Sequence, residues 1–374
     1  MRVTVVNHHP RDVIGGSELQ CHLVAKGLAG RGHEVTFVAV APAGATVSRP
    51  VPEQLGYDVE GCPQDPVALA DAILATGPEV VYWRFNRRGL REVARALREA
   101  GVPMVVALAH VDDVTPWPSW PWPGPGSTLR DRASDVRSRL RWRRQLAAYR
   151  DVTAIASQRQ DLIGRVSHAR VALQRHVPNI MDPSLAEGSA FVHPKPFVAW
   201  VGNLKPRKRP ELIPALADAL APHGVDLIVV GPAQDARYAW LTTSIAEHPN
   251  LHALGALPTK EVVSVLAAAR CLAVTAMPEG FSNVMIQSWW SGTPTATLDY
   301  DPDGLVRSEG LGTVADGDVS RFLADVVHLA TGDVDAAGQR AATFARARFG
   351  RDAVLDALED LLASAAGAVT GGEG

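Results

Sequence analysis

The chain has 374 residues, of which 47% are apolar and 21% charged, a composition that is typical of folded globular proteins and excludes a disordered one. Because one hydrophobic core seldom supports so long a chain, we expect two domains of about 150–200 residues each. The formal net charge of −3 gives no overall field for nucleic acid or membranes, so we expect no nucleic-acid partner and only a local basic site.

The cysteines and the N-terminus indicate the compartment. Cys21, Cys62 and Cys271 have no CxxC spacing, which indicates a reducing environment and argues against a disulfide framework or a zinc site. The N-terminal sequence MRVTVVNHHP lacks the features of a signal peptide and predicts a short buried strand. No apolar run approaches the roughly 18 residues of a transmembrane helix. We therefore predict a cytoplasmic protein.

Short valine-rich runs alternate with helical periods through the first half of the chain. The predicted strands are VTVVN, EVTFVAV, EVVYWRF and PMVVALAH, and the predicted helices are Ser17–Ala29, Pro66–Ala75 and Leu90–Ala100. Unbroken apolar strands in this alternation predict a parallel sheet that is covered on both faces.

The pattern restarts with FVAWVG at Phe197, VDLIVVG at Val225 and CLAVTA at Cys271. We predict a first domain over residues 1–182, a linker over 183–196, a second domain over 197–350, and a C-terminal helix with a flexible tail over 351–374. The fold class is α/β, with two doubly wound parallel sheets and a cleft between them. Ligands of such sheets bind beyond the carboxyl ends of the strands.

The first candidate loop is IGGSE, directly after the first strand. Gly15 and Gly16 would let the backbone approach a ligand, and Ser17 can cap the helix that follows. A helix start of this kind favours an anion. The alternative is an ordinary tight turn.

The second candidate loop is GNLKPRKRP, from Gly202 to Pro210, which follows the strand at Phe197. Its lysines and arginines suit a diphosphate, because lysine acts as a point charge and arginine as a fork of donors. The alternative is a solvated basic turn.

The third candidate loop is EGFSNVMIQSWWSG, which enters a helix with Val284, Ile286 and Trp290 on its apolar face. Ser282 or Asn283 suits the N-cap, and Glu279 just before them can accept hydrogen bonds from sugar hydroxyls. Gln287 can both donate and accept. The alternative is a capped helix with an exposed glutamine. The three loops together predict a site for a nucleotide sugar.

The chain resembles the retaining glycosyltransferases of family 4 (glycosyl transferases group 1) over nearly its whole length. The GGSE loop, VPNIMD from Val177, GNLKPRK and EGFSNVMIQSWWSGTP occur in the family's order, and the last is the most specific. The family's signature there is a Glu, seven residues and a second Glu, and Gln287 stands at the second position. The resemblance implies the GT-B fold of two facing Rossmann-like domains.

The resemblance also implies roles for residues of the second domain. Glu279 would hold hydroxyls of the donor sugar, Gln287 would meet the ribose, and Lys208 falls on the family's phosphate lysine. Asn203 stands where the family has an arginine, and Arg207 would supply that charge. The segment Gly280–Asn283 would contact the sugar and diphosphate through the backbone amides of Phe281, Ser282 and Asn283.

In the first domain, His110 matches a family histidine beside the donor sugar and the acceptor. Without the resemblance, a lone histidine after an apolar strand would more often be structural. Breaking the sugar–phosphate bond creates a cationic sugar and an anionic diphosphate, which cations and a helix start stabilise. The resemblance implies retention of anomeric configuration, with the leaving phosphate assisting deprotonation of the acceptor.

Two acidic motifs are weak metal candidates. DPDG at Asp301–Gly304 resembles the DxD of metal-dependent transferases, but Pro302 and Gly304 suit a turn. HVDD at His110–Asp113 has too few ligands at a convincing spacing. We expect no metal and no cofactor.

The acceptor side has two unusual segments. Trp117, Trp120 and Trp122 alternate with prolines, and aromatic faces can stack on sugars or settle at a membrane interface. Leu129–Arg150 contains eight arginines and two aspartates, with Leu129, Ala133, Val136 and Leu140 on one helical face. Such a helix can attract anionic lipid at the inner membrane face, and the alternative is a solvated surface helix.

We predict a glycosyltransferase that uses a nucleoside-diphosphate sugar and a carbohydrate, lipid-linked or small-molecule acceptor. A nucleotide-sugar epimerase or hydrolase of the same fold is one alternative, and its turnover of the donor alone would distinguish it. A catalytically silent nucleotide-sugar-binding subunit is the other, suggested by Gln287 and Asn203.

Overall fold

The computed structural model describes residues 1–13, 15–42, 55–117, 128–166, 171–232, 247–277 and 280–370. The chain forms two compact units. The first comprises Met1–Ile180 together with Asp352–Gly374, and the second comprises Met181–Arg351. The chain therefore leaves the first unit once and returns to it at its C-terminus.

The first unit contains a seven-stranded sheet in which every described pair of strands is parallel. The order is β3-β2-β1-β4-β5-β6-β7, so the strands wind outward in both directions from β1 and β4. The strands are β1 Arg2–Asn7, β2 Glu34–Val40, β3 Asp58–Cys62, β4 Val80–Trp83, β5 Met104–Leu108, β6 Ala154–Ser157 and β7 Leu173–His176.

Three helices of the first unit pack on this sheet through apolar side chains: α1 Gly16–Gly30, α2 Pro66–Ala75 and α3 Leu90–Glu99. The fourth helix, α4 Leu129–Gln145, buries only Arg139. Helix α2 begins at Pro66, a residue whose fixed φ suits the first helical position, and the Asp65 carboxylate caps it by accepting from the N–H groups of Val67 and Ala68. Helix α3 buries Leu90, Val93, Ala94 and Leu97 against the core that contains Trp83 and Val106.

The second unit contains a six-stranded parallel sheet in the order β10-β9-β8-β11-β12-β13. It has the same plan as the first, because the strands again wind outward from a central pair, here β8 and β11. The strands are β8 Phe197–Val201, β9 Asp226–Val230, β10 Leu251–Gly255, β11 Leu272–Val274, β12 Thr295–Thr297 and β13 Gly312–Val314.

The described helices of the second unit are α5 Ile213–Leu220, α6 Thr259–Ala268, α7 Asn283–Trp290, α8 Leu305–Ser308, α9 Val319–Thr331 and α10 Asp335–Phe349. An aromatic cluster joins α7 to α10: the ring centroids of Trp289 and Phe349 are 6.3 Å apart. This packing fixes α7, the helix entered by the third candidate loop.

The C-terminal helix α11, Arg351–Thr370, packs on α1 of the first unit. Arg31 donates to the carboxylates of Asp356 and Glu359 at 2.6 Å each. A β-carbon added to Gly27 would lie 2.5 Å from a methyl group of Leu355, so the two helices are in close contact. The helix continues through Thr370, so most of the segment 351–374, predicted as a helix with a flexible tail, is helical.

Several sequence expectations differ from the structure. Residues 183–196, predicted as a linker, belong to the second unit, and Pro183–Ala186 forms a 3-10 turn capped by Asp182. The α-helix beginning at Leu129 ends at Gln145 and continues as a 3-10 helix over Leu146–Arg150. Within the part of the chain covered above, no helix is long and apolar enough to span a bilayer.

Candidate functional site

The carboxyl ends of β8 and β11 define a candidate site in the second unit. These two strands are neighbours, and the strand order reverses between them. Loops at such a point diverge and leave a crevice, which is where doubly wound sheets bind ligands. The loop Gly202–Arg209 follows β8, and the stretch ending in Asn283 follows β11. The sequence therefore predicted two loops that the topology brings together.

The basic loop after β8 is fastened to the segment after β11. The N–H of Met277 donates to the carbonyl of Arg207 at 2.8 Å, and the Thr275 hydroxyl donates to the carbonyl of Lys208 at 2.5 Å. Thr275 also accepts from the Trp200 indole at 2.9 Å. These bonds fix the backbone that carries the Arg207 and Lys208 side chains.

Arg209 has a structural role that the sequence did not reveal. Its guanidinium lies 2.5 Å from the Asp299 carboxylate, which follows β12, and its φ is +47°. This ion pair ties the basic loop to a third strand. A left-handed arginine paired with a residue 90 positions away leaves no local signal in the sequence.

The backbone of the basic loop lies close to its neighbours. A β-carbon added to Gly202 would lie 3.6 Å from the aliphatic stem of Lys208, which therefore packs against the glycine. The N–H of Gly202 donates to Val230, and that of Leu204 donates to Pro232. Asn203 lies between these two anchored residues and is half-buried.

Helix α7 begins at Asn283, with Ser282 in the extended N-cap position as predicted. The Ser282 hydroxyl makes no hydrogen bond with the first turn, so the positive end of the helix is not offset by this side chain. Phe281 is buried, with its ring centroid 6.3 Å from that of Trp289 and 5.3 Å from that of Phe349. Gly280 is held through its carbonyl, which accepts from the Tyr300 hydroxyl.

These contacts leave the backbone of Gly280–Asn283 as the part of the segment suited to ligand contact, because the Phe281 side chain is committed to the core. Glu279, the predicted sugar-binding carboxylate, lies outside the described residues, and its role stays a prediction.

Gln287 is only 5% exposed, so it is not the solvent-facing glutamine of the alternative interpretation. The face of α7 also differs from the predicted one. Met285, Ile286 and Trp289 are fully buried, whereas Val284 and Trp290 are half-buried at its margin. The aromatic cluster with α10 turns the helix in this way.

In the first unit, Gly15 and Gly16 follow β1, one of the two strands at which that sheet reverses its order. The prediction that Ser17 caps the helix is wrong: α1 begins at Gly16, and Gly15 is the N-cap. The Ser17 hydroxyl accepts instead from the Asn7 amide at 2.9 Å. A β-carbon added to Gly15 would lie 2.2 Å from a carboxylate oxygen of Glu18, which folds back over the glycine.

His110 follows β5 and is the N-cap of a 3-10 turn over Val111–Asp113. Its Nδ1 accepts from the N–H of Asp112 at 2.9 Å, while the Asp113 carboxylate accepts from the N–H of His110 at 2.8 Å. With Nδ1 as an acceptor, the neutral ring carries its proton on Nε2. In this fold, His110 and Asp113 of the HVDD motif form a capping box.

The DPDG motif forms a turn as expected, with positive φ at Asp303 and Gly304. The Asp301 carboxylate accepts from the N–H of Val306, in the first turn of α8, at 2.8 Å. Burial raises the pKa of Asp301 despite this hydrogen bond. That this motif binds no metal stays a prediction.

One group of side chains with metal-ligating atoms occurs among the described residues: His193, Asp226 and His252. It lies where β9 and β10 begin, at the amino ends of the strands, whereas the candidate site lies at the carboxyl ends. Asp226 accepts from Nε2 of His193 at 2.7 Å, from Nε2 of His252 at 3.1 Å and from Nζ of Lys195 at 3.3 Å. The buried carboxylate thus has three basic partners of its own.

The acceptor-side segments are only partly described. Trp117 is 46% exposed, with the Arg143 guanidinium 5.8 Å from its ring centroid, whereas Trp120 and Trp122 lie outside the described residues. The predicted apolar face of α4 is exposed at all four positions, Leu129, Ala133, Val136 and Leu140. The helix instead buries Arg139, which pairs with Asp135 at 2.6 Å.

Comparisons with known proteins agree with this architecture. Residues 195–331 match the family model of glycosyl transferases group 1. No curated protein matches the chain. The matched residues contain the described parts of both candidate loops of the second unit.

Solved structures resemble the chain over nearly its whole length. The Anabaena protein Alr3699/HepE in complex with UDP-glucose is 20% identical, with a TM-score of 0.69, and the match covers 97% of this chain and 100% of that one. Sucrose-phosphate synthase from Thermosynechococcus elongatus is 15% identical, with a TM-score of 0.77 and coverage of 98% and 100%. The trehalose 6-phosphate synthase of Burkholderia multivorans is 14% identical, with a TM-score of 0.68 and coverage of 98% and 99%.

The two doubly wound parallel sheets and these likenesses confirm the GT-B fold. Because the second unit also matches a glycosyltransferase domain, the chain is an enzyme of the glycosyltransferase class.

Proposed function

We propose that the chain transfers a sugar from a nucleoside-diphosphate sugar to an acceptor hydroxyl, with retention of anomeric configuration. The observation that carries this proposal is the attachment of the basic loop after β8 to the segment after β11, through the Met277–Arg207 and Thr275–Lys208 hydrogen bonds. The cationic loop follows β8 and the helix start follows β11, the two strands that flank the reversal of the sheet.

Each residue of this site would have a separate role in donor binding or transfer. Lys208, Arg207 and the start of α7 would stabilise the leaving diphosphate, whose negative charge grows as the sugar–phosphate bond breaks. Buried Gln287 would bond the ribose, with Asn203 beside the diphosphate. Glu279 would hold the sugar, and His110 would lie on the acceptor side, where the leaving phosphate assists deprotonation of the hydroxyl.

The protein cations would make a metal ion unnecessary for donor binding. We therefore expect transfer to proceed in EDTA at close to its normal rate. A complete loss that manganese restores would instead assign the diphosphate to a metal, with Asp301 and Asp303 of the DPDG turn as the first ligands to test.

The donor would be identified by a thermal-shift screen of nucleotides and nucleotide sugars, because a ligand at 100 times its Kd adds about 2.7 kcal/mol of stability. UDP-glucose is the first compound to try, since the Anabaena structure binds it. Turnover of the identified donor would then be measured with and without carbohydrate, lipid-linked and small-molecule acceptors. Fast turnover without an acceptor would favour a hydrolase or epimerase, and binding without turnover would favour a silent subunit.

Two groups of variants test the residues assigned to the donor and to the acceptor. Glu279→Ala should lower turnover far more than stability, because the carboxylate would hold the sugar in its reactive pose. Replacing Trp117, Trp120 and Trp122 with alanine should leave donor affinity intact but impair transfer or association with anionic vesicles, if this segment and the basic helix contact the acceptor or a membrane. Unchanged transfer and vesicle behaviour would make the segment an ordinary surface loop.

A further inference from the structure

A pocket of 640 Å³ opens in the first unit between the loop after β4, the start of α3 and the helix α4. The loop belongs to one of the two strands at which this sheet reverses its order, which is the favoured position for ligands in such a fold. Gln145 of α4 accepts from the N–H of Arg91 at 3.0 Å and so fastens the two helical walls together.

The walls of the pocket are strongly basic. They contain five arginines and one glutamate, namely Arg87, Arg88, Arg91, Arg141, Arg144 and Glu92. No ion pair joins any of the five arginines to a carboxylate in the described part of the chain. Two arginines of α3 outside the pocket are paired by contrast: Arg95 with Glu99 at 2.8 Å and Arg98 with Asp151 at 2.7 Å. The positive charge is therefore concentrated in the pocket.

Arg87 provides an independent observation, because its charge is buried. The side chain is 4% exposed, and its guanidinium carbon lies 4.2 Å from the centroid of the Trp142 ring. One nitrogen, Nη2, donates to the carbonyl of Asp112, and the Tyr149 hydroxyl and the Asp112 and Asp113 carboxylates lie near enough to act on the charge. Nε and Nη1 nevertheless make no hydrogen bond within the described residues, and burial is the largest influence on the group. Buried donors on a charged group are costly to leave unsatisfied. An anion in the pocket would offset this cost.

We propose that this pocket binds a phosphate group carried by a larger molecule. Several arginine forks around one space match the oxygens of a phosphate better than a single carboxylate. The volume exceeds that of the phosphate alone, so the pocket has room for the remainder of the ligand. The phosphate belongs either to a soluble phosphorylated compound or to a lipid headgroup. Binding there goes beyond the proposed function, because it requires no donor and no transfer.

The test compares two double variants with the same loss of charge. Arg91→Ala with Arg144→Ala removes two exposed arginines of the pocket, while Arg95→Ala with Arg137→Ala removes two exposed arginines of the same helices that do not line it. Arg87 is left intact because its contacts with Asp112 and Trp142 support the fold. Binding of glycerol phosphate to the full chain is measured by calorimetry, and binding to vesicles of phosphatidic acid in phosphatidylcholine is measured by sedimentation.

We expect the wild type to bind at least one of the two probes, the pocket variant to bind it at least tenfold more weakly, and the control variant to stay within about twofold. Binding of glycerol phosphate identifies a soluble source, and binding of vesicles alone identifies a lipid source. Failure of the wild type to bind either probe overturns the proposal, and so does equal weakening in the two variants. Donor affinity is measured in parallel, so that failure of the nucleotide-sugar proposal would be seen separately.

Discussion

Gly231 and Gly202 approach so closely that a β-carbon added to Gly231 would lie 2.0 Å from the carbonyl oxygen of Gly202. Gly231 also has a φ of +140°, a conformation that side chains rarely adopt. The two glycines directly follow β9 and β8, and Gly202 begins the basic loop. The position of that loop therefore depends on the absence of a side chain at residue 231.

Gly231→Ala should displace the basic loop and weaken donor binding at least tenfold, because the new methyl group must push the Gly202 carbonyl away. Overpacking of this kind costs about 1–3 kcal/mol of stability. The measurements are urea unfolding and titration of the donor found in the thermal-shift screen.

Gly224→Ala is the matched control for this variant. Its φ is +68°, but a β-carbon there would meet nothing within 4 Å. The variant should be less stable by only about 1–2 kcal/mol, the cost of a left-handed backbone with a side chain, and it should retain normal donor affinity. An unchanged donor affinity in Gly231→Ala would mean that the loop does not hold the diphosphate.

The sequence predicted those parts of the fold that depend on local pattern. Unbroken apolar runs located β2 at Glu34–Val40 and β8 at Phe197–Val201, and the helical period located α2 at Pro66–Ala75. The edge strand β7, LQRH, was missed because none of its residues is fully buried and its polar composition carries no strand signal. The parts of the fold that could not be predicted depend on tertiary contacts.

The candidate site also combines features that local sequence predicts with features that depend on distant residues. Its two loops in the second unit were predicted because each directly follows a recognisable strand. The Arg209–Asp299 pair, the anchoring role of Thr275 and the unpartnered nitrogens of Arg87 arise from residues that are distant in sequence. On α4, Arg139 is buried and paired with Asp135, whereas the four apolar residues that periodicity predicts to be buried are exposed.

Lys208→Ala should weaken donor binding by about 1.5–3 kcal/mol, or roughly tenfold to a hundredfold, because a charged hydrogen-bond partner of the diphosphate is lost. The control is Lys195→Ala, which removes the same charge before β8, at the opposite end of the strand. Lys195 is 56% exposed and bonds Asp226, so its loss should leave donor affinity unchanged. Calorimetric titration would distinguish the two, and equal weakening would indicate only a long-range effect of net charge.

The hydrogen bonds to Asp226 predict a pH dependence of stability. Burial alone would raise the pKa of this carboxyl, but the bonds from His193, His252 and Lys195 outweigh it and lower the pKa below its usual value. A carboxyl whose pKa is lower in the folded state stabilises the fold above its unfolded pKa of about 3.9. That stability is lost as the pH falls through the folded pKa.

Asp226→Asn should therefore destabilise the protein by about 1–3 kcal/mol at neutral pH and make its stability less dependent on pH in the acid range. The measurement is urea unfolding of wild type and variant from neutral pH to below pH 4. Curves that stay parallel throughout would show that titration of Asp226 does not contribute to acid unfolding.

The last prediction concerns Gln287, which stands where the family signature has its second glutamate. A buried amide offers one acceptor oxygen and two donor hydrogens to ribose hydroxyls, and it lacks only the stronger bond of a charged carboxylate. The difference is about 1–2 kcal/mol, so Gln287→Glu should keep transfer activity and change donor affinity by no more than about tenfold.

Burial should also raise the pKa of the new glutamate, because the site is only 5% exposed. Since the charged form makes the stronger bond, donor affinity of Gln287→Glu should increase with pH relative to the wild type. Gln287→Met, which has a similar volume and no hydrogen-bonding amide, is the control and should bind the donor more weakly at every pH. Donor titrations at saturating acceptor would measure all three proteins. An inert wild type beside an active Gln287→Glu variant would show that the natural glutamine makes the chain a silent nucleotide-sugar-binding subunit.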